Sequence, residues 1–371
     1  MKISSIEIIH VLPRFSFLKM TTDEGITGYG EAIVEGRSRT VEMAVKELEP
    51  HLIGQDPRRI EHLWQMMYRG TFYRGGPILT SAISGLEQAM WDILGKSLGV
   101  PVYQLLGGHV RDRIKMYKHI GGNTTQELYE SAKNAVNEGF RMVKTPVEMA
   151  HILEAPAYLL RQMERIEAVR DAIGNEVDLA IDFHGRVSPA LAIQLVKAFE
   201  RFHPLFIEEP CLPENVGAMA MIARSTSIPI ATGERLFTKF AFREVLEKQA
   251  AAVVQPDLAH CGGIMEGKKI AAMAETYFAA FASHNPLGPI NLAASLQLAA
   301  NVPNFLVQEY VSLGEGYLKK PFVIRDGYID LPLEPGLGIE IDEEALEDKI
   351  YSGNFDLPRE IHPDDHSVAD W

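Results

Sequence analysis

Seven short apolar runs recur through the last two-thirds of the chain, and they limit its fold more than any other feature. They are RMVKTPV (141–147), VDLAIDFHG (177–185), PLFIEEP (204–210), IPIATGE (228–234), AAVVQPD (251–257), YFAAFASH (277–284) and NFLVQEY (304–310). Helix-patterned stretches such as SPALAIQLVKAFERF (188–202) and FAFREVLEKQ (240–249) occupy the intervals. Strands joined through helices run parallel, because the crossover carries the chain back before it re-enters the sheet. The expected fold class is therefore α/β. Seven or more units at near-regular spacing favour a closed barrel over an open doubly wound sheet. No G-x-G-x-x-G follows a strand, so dinucleotide binding has no support.

The first third has a different rhythm. Residues 2–11 alternate as a strand does, with Ile3, Ile6 and Ile8. Residues 15–32 read as two strands joined by a turn at Asp23-Glu24-Gly25. Helical periodicity follows over 39–52, again after Asp56-Pro57, and over Ser81–Leu98. Strands followed by helices point to an α+β unit over 1–113, ahead of a barrel over 114–315. The tail, 316–371, returns to strand-like patterning and is expected to pack back on the first unit.

A chain of 371 residues exceeds the size at which a single core stops growing, which agrees with more than one structural unit. The formal net charge of −14 argues against nucleic acid and against an anionic membrane surface as partners. Cys211 and Cys261 are the two cysteines, too few for a disulfide framework. The opening MKISSIEIIHVLP lacks the apolar run of a signal peptide, and no stretch reads as a membrane span. A cytoplasmic protein is the expectation.

The chemistry lies in what ends each run: Lys144, Asp182 with His184, Glu208, Glu234, Asp257, His284 and Glu309. In a barrel the C-terminal strand ends form the reactive face, so these side chains converge. Asp182, Glu208 and Glu234 are separated by 26 and 26 residues, one strand–helix unit each. Converging carboxylates repel unless a cation lies between them, and an all-oxygen donor set suits a hard ion such as Mg2+. A single acid at a strand end is more commonly a helix cap or surface group; three in successive units are hard to explain that way. His184 and His284 share the face with the acids. Asp257, one unit before His284, is placed to orient it. His151, His203 and His260 read as ordinary satisfied or solvated histidines, and Glu209 has the wrong strand parity for the site. Lys144 weighs evenly against a solvated barrel lysine. Arg37 and the GTFYRGGP stretch (70–77) are candidates for a substrate loop, with an ordinary turn as the alternative.

These motifs, together with LIGQDPRRIEHLWQMMYR, FYRGGPILTSAISGLEQAMWDILGK, GERLF, QPDLAHCGG, SHNPLGPI, PGLGIEID and HSVADW, span nearly the whole chain. The chain resembles the mandelate racemase subgroup of the enolase superfamily. The resemblance implies a modified (β/α)7β TIM barrel with an N-terminal α+β capping domain, and a symmetric homo-oligomer. It implies Asp182, Glu208 and Glu234 as Mg2+ ligands, His284 with Asp257 as base, and His184 as acid. Glu309, Lys144 and Arg37 are then candidate substrate contacts. The implied activity is dehydration of a small-molecule acid sugar, D-galactonate first, to a 2-keto-3-deoxy acid. Dehydration of gluconate, mannonate or a pentonate, racemisation, and a silent acid-sugar binder are the alternatives. Racemising relatives carry a second lysine two residues after the first; here that position is Pro146, which favours elimination. The segment after it, 147–162, departs from the pattern and is a candidate for reaching the substrate.

Overall fold

The computed structural model describes residues 1–150 and 156–370. Strands β1 (Ile3–Val11), β2 (Phe15–Thr22) and β3 (Thr27–Glu31) form an antiparallel sheet in that order. Helices α1 (Ser38–Leu52), α2 (Ile60–Arg69) and α3 (Gly76–Leu98) follow. Helix α3 lies directly on β3. A Cβ at Gly30 would come 1.9 Å from the Gly85 carbonyl oxygen, so glycine is what permits that approach. The helix ends at Gly99, whose left-handed backbone (φ 68°) suits glycine.

After the short α4 (Val102–Leu105) and β4 (Arg113–Lys115), the chain alternates strand and helix. Strands β5 (Lys118–His119), β6 (Met142–Pro146), β7 (Asp178–Asp182), β8 (Phe206–Glu208), β9 (Ile230–Thr232), β10 (Val253–Val254) and β11 (Ala280–Phe281) form one parallel sheet in sequence order. Between them run α5 (Thr125–Asn137), α6 (Pro156–Ile173), α7 (Pro189–Phe199), α8 (Val216–Ala223), α9 (Thr238–Glu247) and α10 (Ile264–Thr276); α11 (Pro289–Asn301) follows β11. Side-chain caps start several of these helices: Thr124 with Glu127 in a capping box, Ser188, and Asn215.

The sheet is curled. Residues 305–308 hydrogen-bond at both of its edges, through Leu306 N to Phe281 O of β11 (2.8 Å) and through Tyr117 N, directly before β5, to Gln308 O (3.3 Å). One buried cluster takes Tyr117, Met142, Ala180, Phe206, Ala231, Val253, Ala282 and Val307, one residue from each of eight successive strand segments. Side chains thus fill the space that the sheet encloses. A fully buried Phe206 or Met142 contributes about 1.5–3 kcal/mol relative to exposure. The fold is therefore mixed α/β with a parallel half-barrel sheet carrying the strand ends that the sequence singled out.

The tail forms β12 (Ile324–Arg325) and β13 (Tyr328–Asp330), which pair with β4. Beyond it, Glu343 accepts from Lys19 and from the Tyr29 hydroxyl at 2.6 Å, and Tyr351 N donates to His10 O at 3.1 Å. The tail therefore touches the first unit. No described helix is long and apolar enough to cross a membrane.

Candidate active site

The register of the parallel sheet brings the acids side by side. Asp182 ends β7, Glu208 ends β8, and the two are direct cross-strand partners. Glu234 lies two residues beyond β9, Asp257 three beyond β10, and His284 three beyond β11. Glu309 follows the bridge residue Gln308. All of them sit at the C-terminal side of their strands, as the runs predicted.

Lys144, on β6, lies among the acids. Its ammonium donates to both oxygens of Glu208 (3.0 and 2.9 Å) and lies 3.2 Å from Asp182 and 3.1 Å from Glu309. It is 3% exposed, so it is not a solvated lysine. His284 Nδ1 meets Asp257 Oδ2 at 2.9 Å, and its Nε2 lies 3.2 Å from Glu234 Oε2. His184 is held at φ 49°, with its N–H donating to Asp182 Oδ1 at 2.9 Å. A left-handed histidine is a strained conformation of the kind that accumulates at functional sites. Asp182 Oδ2 lies 3.2 Å from both Lys144 Nζ and His184 Nε2, yet has no well-directed hydrogen bond among the described residues.

Burial and like charge shape the titration of these groups. Burial, then Asp182, push Glu208 up to about 8 against the pull of Lys144. Burial likewise pushes Glu234 up to about 7, although His284 opposes it. Burial also works against charge on Asp182, but Lys144 and His184 outweigh it and hold that carboxyl below its ordinary value. Burial disfavours the charged form of His284, yet Glu234 and Glu309 override it and hold the imidazolium well above its usual range. For His184 burial wins, and its value falls despite Asp182. In this arrangement the surrounding charges favour a proton on His284 over one on His184.

A cavity of about 920 Å³ opens over these groups. Lys144, His184, Glu234, His284 and Glu309 line it, whereas Asp182, Glu208 and Asp257 lie behind them, at most 1% exposed. Among the described residues no three His, Cys, Asp or Glu side chains are gathered at metal-site spacing. The carboxylates turn instead to Lys144 and His284. The donor set still fits a hard divalent cation: three neighbouring carboxylates, one with an oxygen lacking a directed donor, and more acids than cations.

Several residues lie elsewhere than the sequence suggested. Arg37 is exposed, donates to the carbonyl of Gly36 and is not among the described residues that line the cavity. It directly precedes α1, where the chain turns away from the mouth; Arg14 and Glu35 line the cavity instead, 3.3 Å apart. Arg14 comes from the β1–β2 turn and donates to Pro286 O at 2.8 Å, a long-range placement without a local signal. In 70–77, Phe72 and Tyr73 are 92% and 81% exposed, and Pro77 alone of the described residues there lines the cavity. His119, which the sequence does not mark, lines the cavity and bonds Glu309 Oε1 at 2.7 Å. Its run is a two-residue strand, too short to stand out. His260 bonds the Ser81 hydroxyl at 2.9 Å and also borders the cavity. Glu209, just beyond β8, is buried and pairs with Arg235, a structural ion pair of the kind its parity suggested. His151 lies outside the described residues, as do the other four of 151–155; the described part of 147–162 does not line this cavity.

Barrel-end carboxylates beside a carboxylate–histidine pair define a class of proton-abstracting enzymes, and the comparisons agree. Residues 127–345 match the enolase C-terminal domain-like family, and residues 10–107 match the mandelate racemase / muconate lactonizing enzyme N-terminal domain. The chain belongs to the mandelate racemase / muconate lactonizing enzyme family of the enolase superfamily. A D-galactonate dehydratase of Ralstonia nicotianae is 47% identical over 384 residues, with 100% of both chains covered. One of Variovorax paradoxus is 46% identical over 387 residues, again with 100% of both covered. Among solved structures, a mandelate racemase/muconate lactonizing enzyme from Jannaschia sp. CCS1 superposes with a TM-score of 0.91 at 33% identity, covering 95% of this chain and 99% of that one. Another, from Sulfitobacter sp., gives 0.90 at 35% identity, covering 95% and 96%.

Proposed function

We propose that this chain is a magnesium-dependent hydro-lyase that dehydrates an acid sugar, D-galactonate first, to a 2-keto-3-deoxy acid. The observation that carries the reading is the His284–Asp257 pair at 2.9 Å, with His284 Nε2 at the cavity beside Glu234. Full-length relatives that are D-galactonate dehydratases support both the reaction and the sugar. The architecture fits a modified (β/α)7β barrel over 114–315. Residues 1–113 form its cap, and 316–371 complete that cap. We place the enzyme in the cytoplasm as a symmetric homo-oligomer.

Asp182, Glu208 and Glu234 are the residues that would hold Mg2+. Bound there, the ion would supply positive charge for the substrate carboxylate and would offset the acids that favour the charged form of His284. The chain's own groups do the rest. Asp257 fixes the His284 ring with Nδ1–H as donor, which leaves Nε2 to accept the C2 proton. The C–H electron pair moves toward the carboxylate, where Lys144 adds a fixed ammonium. His184 then donates a proton to the C3 hydroxyl, which leaves as water; the resulting enol gains a proton at C3 and loses the proton of its C2 hydroxyl to give the keto acid. An anionic substrate beside His184 raises its affinity for the proton it must deliver. Glu309 and Lys144 are proposed as substrate contacts, with Arg14 and His119 in place of Arg37.

The test is a library of acid sugars incubated with MgCl2 and read for 2-keto-3-deoxy acid. D-galactonate is expected to turn over. No keto acid from any member would refute the reading. Deuterium entering C2 of unreacted substrate without keto acid would point to a racemase using His184 and His284.

A further inference from the structure

A buried amide holds the Asp257–His284 pair from behind, and it is itself held by the N-terminal unit. Asp257 Oδ1 accepts from Ala259 N at 2.7 Å and from Asn291 Nδ2 at 3.1 Å. That leaves Oδ2 for His284 Nδ1 at 2.9 Å, with His260 Nε2 at 3.8 Å. The same Asn291 amide donates to Asn285 Oδ1 at 2.9 Å, and Asn285 follows His284 in the chain. Asn291 therefore touches both the partner of the histidine and the backbone segment that carries it.

The orientation of that amide is set from outside the parallel sheet. Gln88 Nε2, on α3, donates to Asn291 Oδ1 and to Leu258 O, each at 3.0 Å. Gln88 Oε1 accepts from Glu31 N at 2.9 Å. The Glu31 carboxylate accepts from Gly288 N at 2.7 Å and Asn291 N at 3.0 Å, which pins the first turn of α11. Glu31, Gln88, Asp257, Asn285 and Asn291 are all 0% exposed. With Gln88 committing Oδ1 as the acceptor, Nδ2 must face Asp257; a flipped amide would set two oxygens against each other. The Gln88 and Asn291 amides each have both their oxygen and their nitrogen paired, and paired buried amides hold one arrangement.

We propose that Asn291 is a positioning residue for the base, oriented by Gln88 of the N-terminal unit. It aims Asp257 Oδ2 at His284 Nδ1, so that Nε2 is the nitrogen presented to the substrate. This rests on the reading above that His284 is the base. Outer partners that orient a reactive histidine typically carry about 10–100-fold of activity.

Two variants test it, Asn291→Leu, which keeps volume without the donor, and Gln88→Leu, which touches neither Asp257 nor His284. The first readout needs no substrate: the Nδ1–H resonance of His284 in 15N-histidine-labelled protein, identified as the one absent from His284→Asn. Expected are loss or displacement of that resonance in both variants. Expected too is a kcat lower by about 10–100-fold in Asn291→Leu, with KM little changed, and a smaller loss of the same sign in Gln88→Leu. An unmoved resonance with unchanged kcat in either folded variant overturns the proposal, as does a rise in KM alone. If Asn291→Leu does not fold, Gln88→Leu decides. If His284→Asn itself keeps full turnover, the functional reading fails, and the resonance still reports on the positioning.

Discussion

Replacing Lys144 by methionine tests the charge balance of the site most directly. The ammonium is the one described cation within 3.2 Å of Asp182, Glu208 and Glu309 together, and it is 3% exposed. Methionine keeps most of the stem and removes the charge. Taking one partner from a buried ion pair costs about 3–5 kcal/mol, because the other charge is left without compensation. Protonation of Glu208, already pushed up to about 8, recovers part of that near neutrality, so the lower figure is expected. At about 2 °C per kcal/mol for a chain of this size, the melting point in EDTA falls by roughly 6 °C. Magnesium narrows the gap. A ligand that binds only the folded state at a hundred times its Kd adds about 2.7 kcal/mol, and the variant presents one positive charge fewer against it. Scanning calorimetry of both proteins, in EDTA and over a MgCl2 series at pH 8, measures this. The reasoning is refuted if Lys144→Met melts with the wild type in EDTA. It is also refuted if magnesium raises the variant no more than the wild type.

Other consequences can be checked separately. His284→Asn is expected to abolish C2–deuterium exchange and lower turnover by about 10²–10⁴-fold, whereas His184→Asn lowers turnover but retains exchange, read by NMR in D2O. Glu31 and Glu87 are raised by burial to about 8, from an ordinary 4.5. The unfolded chain releases those protons first, so their stabilisation is full below 4.5 and is lost as pH rises to about 8. Urea titrations should show a slope approaching roughly 1.4 kcal/mol per pH unit for each group, flattened in Glu31→Gln/Glu87→Gln. Gly263→Ala should destabilise by at least ~2 kcal/mol in the same titrations. Its φ is +94°, and a Cβ there would lie 2.1 Å from Glu87 Oε2.

The residues legible in the sequence are those whose role follows from strand period and repeat. Asp182, Glu208 and Glu234 recur at one per unit, and the fold places them at neighbouring strand ends. Asp257 and His284 end adjacent strands and meet directly. What escaped depends on contacts between distant segments. Lys144 became the counter-ion of the acids because β6 lies beside β7 with its side chain directed inward, a choice that a five-residue run does not reveal. Arg37 is a candidate from its place in an early loop, whereas Arg14, in the β1–β2 turn, is what reaches Pro286. Gln88 and Asn291 meet although they stand 203 residues apart in sequence, and no periodicity joins them.

The carboxylates that fasten the N-terminal unit to the rest of the chain carry a consequence for engineering. Glu87 accepts from Ile264 N and Met265 N at 2.8 Å, Glu31 from Gly288 N at 2.7 Å, and Asp92 from Leu337 N at 2.9 Å. At each contact the receiving backbone has a glycine, Gly263, Gly288 or Gly336, where a Cβ would collide with the acid at 2.1 to 2.6 Å. Two of these peg-and-notch pairs, at Glu31 and Glu87, key the N-terminal unit to the parallel-sheet unit, and the third, at Asp92, keys it to the tail. A chimaera that imports a different N-terminal unit, to bring new loops over the cavity, must import the matching notches with it. Grafting the loops alone onto this N-terminal unit leaves all three pairs intact, and is the safer way to change which sugar enters.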